Sequence, residues 1–199
     1  VGFLGINGAG KSTMMRIICS YTKPNSGDVF ICRKNIKTHT KYTKGKIGYL
    51  SEKNPLYEDM YVIEFLKFIS KIYKSKEIDL NSTLALTGLQ NLKKKKIKIL
   101  SEGQKKRVGI AQAIIHNPDV LILDEPTATL DPNQKEDIQN LIKKISSKKA
   151  ILFSTHILEE VEKICNRVII IHKGKIIANK KINEFNTNLT DIFKKLTNQ

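Results

Sequence analysis

Apolar positions recur along this chain in two rhythms, and the change from one to the other marks its segments. Val1-Gly2-Phe3-Leu4 is a short apolar run that reads as a strand, and Met14-Met15-Arg16-Ile17-Ile18 reads as a helix behind it. After the turn Pro24-Asn25-Ser26-Gly27, the branched and alternating Asp28-Val29-Phe30-Ile31-Cys32 predicts a second strand, and Lys46-Ile47-Gly48-Tyr49-Leu50 a third. From Met60 the period is helical: Val62, Ile63, Leu66, Ile69, Ile72 and Tyr73 trace one apolar face. Helical character continues to His116, broken at Gly88 and at the basic run 93–96, so residues 54–116 form a helical insert between strands.

Strands then return. Val120-Leu121-Ile122-Leu123 is unbroken apolar sequence, as a parallel strand covered on both faces requires. A helix from Pro132 follows, with Asp131 as its N-cap and proline at the first helical position. Next come a strand over 150–154, a helix over 157–164, the strand Val168-Ile169-Ile170-Ile171, the tight turn Lys173-Gly174 and a last strand over 175–178. Strands alternating with helices predict an α/β fold: a mostly parallel sheet with helices on both faces and an inserted helical subdomain, spanning residues 1–185, with 186–199 as a tail.

Composition narrows the reading without naming a function. With 199 residues, 40% of them hydrophobic, the chain can bury one sizeable core. It begins at Val1, inside the strand just described, so further strands are expected upstream. The net charge of +16 is carried almost wholly by lysine, with arginine only at Arg16, Arg33, Arg107 and Arg167. Those lysines are spread along the chain beside abundant Ile and Asn, as AT-rich codons produce, and form no single stripe. No nucleic-acid groove is therefore read from the charge. Cys19, Cys32 and Cys165 are far apart and lie in apolar periodic segments, which suits reduced thiols and neither a disulfide frame nor a zinc site. No apolar run approaches the roughly twenty residues that span a bilayer, and no signal peptide is read, so any membrane link is expected through a partner.

Chemistry enters between the first strand and helix. Gly5-Ile6-Asn7-Gly8-Ala9-Gly10-Lys11-Ser12-Thr13 has the spacing G-x-x-x-x-G-K-[ST] of a phosphate-binding P-loop. Its glycines let successive N–H groups turn toward phosphate oxygens, Lys11 brings a positive charge, the Ser12 hydroxyl can ligate Mg²⁺, and the following helix directs its dipole at the same anion. A plain connecting turn is the alternative; the order strand, turn, Lys-Ser, helix favours the phosphate cradle. At the end of the run 120–123, Asp124 and Glu125 stand at the carboxyl edge, facing the P-loop. There Asp124 can hold Mg²⁺ through its water shell and Glu125 can polarise the attacking water; surface acids at a strand end are the alternative. His156 follows the strand over 150–154 at the same edge, and only that position raises it above a structural histidine. Ser101 and Gln104, in Leu100-Ser101-Glu102-Gly103-Gln104, make an adequate capping box for a helix.

Taken together, P-loop, LSEGQ and ILDEP in this order resemble an ATP-binding cassette (ABC) ATPase subunit, from Val1 to Phe185. The resemblance implies a P-loop NTPase with ATP and Mg²⁺ as its cofactors. Asn7, Gly8, Ala9, Gly10, Lys11, Ser12 and Thr13, with Ser101, Gly103, Gln104 and Asp131, are then its nucleotide contacts. Ser12, Asp124 and Glu52 attend the metal, and Glu125, His156 and Lys11 are the catalytic set. It further implies a head-to-tail homodimer in which one P-loop is closed by the other copy's Ser101 segment. The partner is a membrane permease, with no direct nucleic acid, and the location is the inner face of the membrane. The permease contact is expected near Tyr57, Tyr61 and Phe65, although Phe65 reads better as helical core. Two departures stand out: Glu52 where most members carry glutamine, and Thr129 where the family's 127–131 loop has a small residue. The stretch 47–60 with Arg107-Val108-Gly109-Ile110-Ala111 is similar to gliding-motility-associated and multidrug exporter ATPases. A soluble relative acting on ribosomes or DNA, and a regulator that no longer hydrolyses, are the competing readings.

Overall fold

The computed structural model describes residues 1–73 and 79–185, together with Phe193. In chain order its elements are β1 (Gly2–Leu4), α1 (Lys11–Ile18), β2 (Phe30–Ile31), β3 (Lys34–Asn35), α2 (Thr40–Lys46), β4 (Ile47–Leu50), α3 (Val62–Tyr73), α4 (Leu80–Leu86), α5 (Glu102–Ile114), β5 (Val120–Asp124), α6 (Pro132–Ser146), β6 (Ala150–Thr155), α7 (Leu158–Ile164), β7 (Arg167–His172) and β8 (Lys175–Lys181). Six of these strands make one sheet in the order β4-β5-β6-β1-β7-β8, parallel except for the antiparallel pair β7–β8. β1 therefore lies between β6 and β7, with Leu4 opposite Thr155 on one side and Ile170 on the other.

Side chains of the central strands alternate between two cores. Leu121 and Leu123 pack with Ile110, Ile138 and Leu141 on one face, while Ile122 packs with Phe3, Met15 and Ile171 on the other. Both faces are covered, which is why the run 120–123 carries no polar residue. Each such side chain contributes roughly 1.5–3 kcal/mol by leaving water.

α5 joins the sheet to the helical insert. Its Ile110, Ala113 and Ile114 belong to the sheet-side core with Leu50, and its Val108 and Ala111, with Ile115 just past its end, to the core of Val62, Phe65, Leu66, Leu84 and Ile97. The helix lies directly on β4: a Cβ at Gly48 would come within 2.0 Å of the Ala113 carbonyl oxygen. Only glycine lets the two backbones approach this closely.

Three details depart from the sequence reading. The strand over 28–32 shrinks to Phe30–Ile31, which pairs with Lys34–Asn35 in a separate hairpin. Cys32 and Arg33 turn that hairpin with φ of 48° and 64°. α2 has no apolar period to announce it, since Thr43 is its one buried residue. On α3, Phe65 is core at 1% exposure, whereas Ile72 (59%) and Tyr73 (40%) are exposed. The tail 186–199 lies outside the described residues except for Phe193, which packs against the group of Leu4, Val161 and Val168. Among the described residues no helix is long and apolar enough to cross a membrane.

His116 closes the seam between sheet and insert. Its ring stacks on Tyr73 at 3.7 Å, and its Nε2 meets the Ile47 carbonyl oxygen at 3.0 Å. A carbonyl only accepts, so the neutral ring carries its proton on Nε2, and Nδ1 is buried with no hydrogen-bond partner among the described residues. Burial pushes the His116 pKa below its ordinary value, and the charge of Lys149 adds to the shift against an opposing contribution from the Ile47 carbonyl. As pH falls below the unfolded value of about 6.5, the unfolded chain takes up a proton that the folded chain refuses. Stability then falls until the depressed folded pKa is passed. The urea midpoint should drop between about pH 7 and about pH 5, and drop less steeply in His116→Phe, which keeps the stacked ring; equal slopes would clear His116 of the effect.

Candidate functional site

The glycine-rich loop is shaped by two demands. Gly8 and Gly10 have φ of 79° and 105°, in the left-handed region that favours glycine, and a Cβ at Gly5 would come within 2.6 Å of the Ile171 carbonyl oxygen. The loop is fixed to the β7–β8 turn by the Gly174 N–H, which donates to the Ala9 carbonyl at 3.0 Å. It walls a cavity of about 390 Å³ together with Lys11, Ser12, Thr13, Asn7, Glu52, Glu125, Ala128 and His156. Residues from β1–α1, the end of β4, the end of β5 and the end of β6 thus meet at one edge of the sheet.

Lys11 is buried at 6% exposure. Its Nζ donates to the carbonyls of Gly5 at 2.7 Å and Ile6 at 3.3 Å, and lies 3.3 Å from Glu125 Oε1. Glu125 also meets His156 Nδ1, at 3.1 Å from Oε2 and 3.2 Å from Oε1. One carboxylate is thereby shared between a cation and an imidazole.

Asp124 sits behind this group, and its carboxylate does not wall the cavity. Its Oδ1 accepts from the Ser154 hydroxyl at 2.7 Å, and the Ser154 oxygen accepts from the Glu125 N–H at 2.9 Å. The register Asp124 opposite Ser154 makes this bridge possible. Glu125 has φ of +47°, so its own N–H is turned toward β6. Tyr49, half-buried on β4, has its phenol pushed up to about 12 by burial and by the charge of Asp124.

Ser101, Gly103 and Gln104 lie elsewhere. They wall a separate cavity of about 340 Å³ with Arg107, Gln134 and Asp137, and share no residue with the first. The capping box is formed: the Gln104 N–H donates to Ser101 Oγ at 3.3 Å and the Ser101 N–H to Gln104 Oε1 at 3.1 Å. Asp131 walls neither cavity; its side chain caps α6 by accepting from the Gln134 N–H at 2.9 Å.

Sequence reasoning missed several residues of this edge. Ser154 bridges the two acids, Lys106 is buried and donates to the Glu52 carbonyl at 2.9 Å, and Arg107 joins α5 to α6 through Asp137 at 2.7 Å. Ser154 and Thr155 carried a readable signal, as consecutive hydroxyls ending an apolar strand. Lys106 carried none in a lysine-rich chain. Burial pushes its pKa down, against the charges of Glu52 and Glu102.

The family pattern described as "ABC transporter" matches residues 1–128. The uncharacterized ABC transporter ATP-binding protein YdbJ of Bacillus subtilis is 40% identical over 181 residues, 89% of this chain and 59% of that one. The bacitracin transport ATP-binding protein BcrA of Bacillus licheniformis is 39% identical over 181 residues, 88% of this chain and 58% of that one. The chain thus spans about three fifths of the length of these two relatives. The dimeric structure of MJ0796, a bacterial ABC transporter cassette, superposes with a TM-score of 0.80 at 27% identity, covering 92% of this chain and 85% of that one.

Ser154→Ala leaves the Glu125 N–H and the Asp124 carboxylate without their shared hydroxyl. The expected cost is about 1–3 kcal/mol, read from the denaturation midpoint, and an unchanged midpoint would contradict the bridge.

Proposed function

The chain belongs to the ABC transporter family, and on that premise we propose that it is the ATP-binding and ATP-hydrolysing subunit of a membrane transporter, working as a head-to-tail dimer. One observation carries the reading. Lys11, Glu125 and His156 gather at the glycine-rich loop, while Ser101, Gly103 and Gln104 open onto a different cavity of the same molecule. Each chain then offers two unlike half-sites, and two copies turned head to tail bring loop and Ser101 segment together twice.

The loop N–H groups and the N-terminus of α1 bind the triphosphate, and Lys11 neutralises charge on its outer phosphates. Lys11 is paired with Glu125 in this structure, so a phosphate reaching Nζ competes with that pair and frees the carboxylate. Glu125 then accepts the proton of a water attacking the γ-phosphorus, and the bond to the leaving ADP oxygen breaks. An ionised Glu125 only accepts, which places the proton of His156 on Nδ1 and leaves Nε2 to face the substrate. The Ser12 hydroxyl and the Glu52 carboxylate line the cavity and are hard oxygen donors of the kind Mg²⁺ takes, and Asp124, set behind them, would attend the ion through its water shell. Bound there, Mg²⁺ supplies charge neutralisation on the phosphate oxygens.

In the other half-site, Ser101 and the first N–H groups of α5 meet the γ-phosphate of the opposite copy. Asp131 caps α6 through the Gln134 N–H and would meet the nucleotide only once a second copy has closed on it. Closure of the dimer is favoured by ATP and released by hydrolysis. Through the helical insert that motion reaches a permease, which keeps the chain at the inner membrane face. Tyr57, whose ring meets the exposed Phe68 edge-on at 5.8 Å, and the exposed Tyr61 support a contact there; Phe65 is core and does not take part. The stretch 47–60 supports an exporter of the gliding-motility-associated or multidrug type over an importer.

Glu125→Gln should bind ATP within a few-fold of the parent chain while turnover falls by about 10²–10⁴. Steady-state hydrolysis and nucleotide binding, measured side by side, check this; unchanged turnover removes Glu125 from its role.

A further inference from the structure

Behind the reactive edge stands a carboxyl group that the proposed chemistry does not use. Glu160, on α7, is 4% exposed. Its Oε2 accepts from the Thr127 hydroxyl at 2.9 Å and from the Thr155 hydroxyl at 2.7 Å, while Oε1 is buried with no hydrogen-bond partner among the described residues. The two hydroxyls come from different segments. Thr127 follows Glu125 closely in the β5–α6 connection, and Thr155 ends β6 directly before His156. Thr155 also accepts from the Ile157 N–H at 3.0 Å, so its oxygen fixes the turn into α7.

An acid in this position is costly, because one of its oxygens is desolvated for nothing, and an apolar side chain would fill the same space more cheaply. What the cost sustains is visible in the backbone beside it. The β5–α6 connection holds Glu125 at φ 47° and the β-branched Thr129 at φ 67°, both in the left-handed region. Such residues persist only where neighbours over-determine them. Ser154 grips the start of the connection through the Glu125 N–H, and Glu160 grips its middle through Thr127.

We propose that Glu160 is a positioning residue that ties segment 125–129 to segment 154–157, so that Glu125 and His156 hold or shift as one unit. Its consequence for turnover rests on the ATPase reading above; its geometry does not.

The test compares Glu160→Leu with Glu160→Gln, which keeps an acceptor oxygen, in the full chain, by amide hydrogen exchange and steady-state ATP hydrolysis. For Glu160→Leu, exchange should rise about tenfold or more in 125–129 and 154–157 together. For the same variant, kcat should fall about ten- to a hundredfold with KM for ATP within about threefold, and Glu160→Gln should recover most of both. If Glu160→Leu does not fold, Thr127→Val replaces it: that change removes the Thr127 hydroxyl's bond to Glu160 and leaves the Thr155 bond in place, yet should speed exchange in 154–157. Exchange that rises in one segment alone, or in neither, overturns the proposal, as does equal behaviour of Leu and Gln. A parent chain that hydrolyses no ATP would defeat the ATPase reading instead, and the exchange pattern would still decide the role of Glu160.

Discussion

Lys11 is a buried ammonium, and the edge of the sheet is organised by what has to surround it. Two loop carbonyls and the Glu125 carboxylate meet its Nζ, because an unpaired charge in that position would cost several kcal/mol. The pairing is possible only because β1 is inserted between β6 and β7, which sets Leu4 opposite Thr155, and because Asp124 lies opposite Ser154. A one-residue slip in either register would turn Glu125 or His156 away from the loop. The strand order, not any single side chain, is what brings three distant stretches of sequence into one group.

The same geometry gives the molecule two faces with different chemistry. The P-loop face has the cation, the carboxylate and the imidazole. The Ser101 face has a capped helix start, an end of a helix that suits an anion, and it lies apart from Lys11, Glu125 and His156. Glu102 in the first turn of α5 adds negative charge there, met by Lys105 at 3.6 Å, which also pairs with Glu58 at 2.8 Å. The proposed hydrolysis draws on both faces.

Much of this architecture was legible in the residues, and what was hidden has physical causes. The strand-loop-helix at residues 1–18 and the caps at Ser101 and Asp131 follow from local rules, and each forms as the spacing requires. α2 was hidden because a short helix with one buried residue leaves no period. α3 misled at its end: the stripe continues to Ile72 and Tyr73, but the core it packs into stops sooner, and Tyr73 stacks on His116 instead. α5 reads as uniformly mixed because it is buried toward two cores at once. At the site, Lys11, Glu125 and His156 carried motif spacing, whereas Ser154 and Glu160 act through partners some thirty positions away, and long-range pairing leaves no mark in a single sequence.

The central claim is that one chain holds two halves of different sites. Sedimentation of the Glu125→Gln chain with and without saturating Mg²⁺ and ATP tests it most directly. The account predicts a monomer without nucleotide and a dimer with it, lost again when Ser101→Arg fills the second cavity. A chain that stays monomeric with ATP fully bound would contradict it.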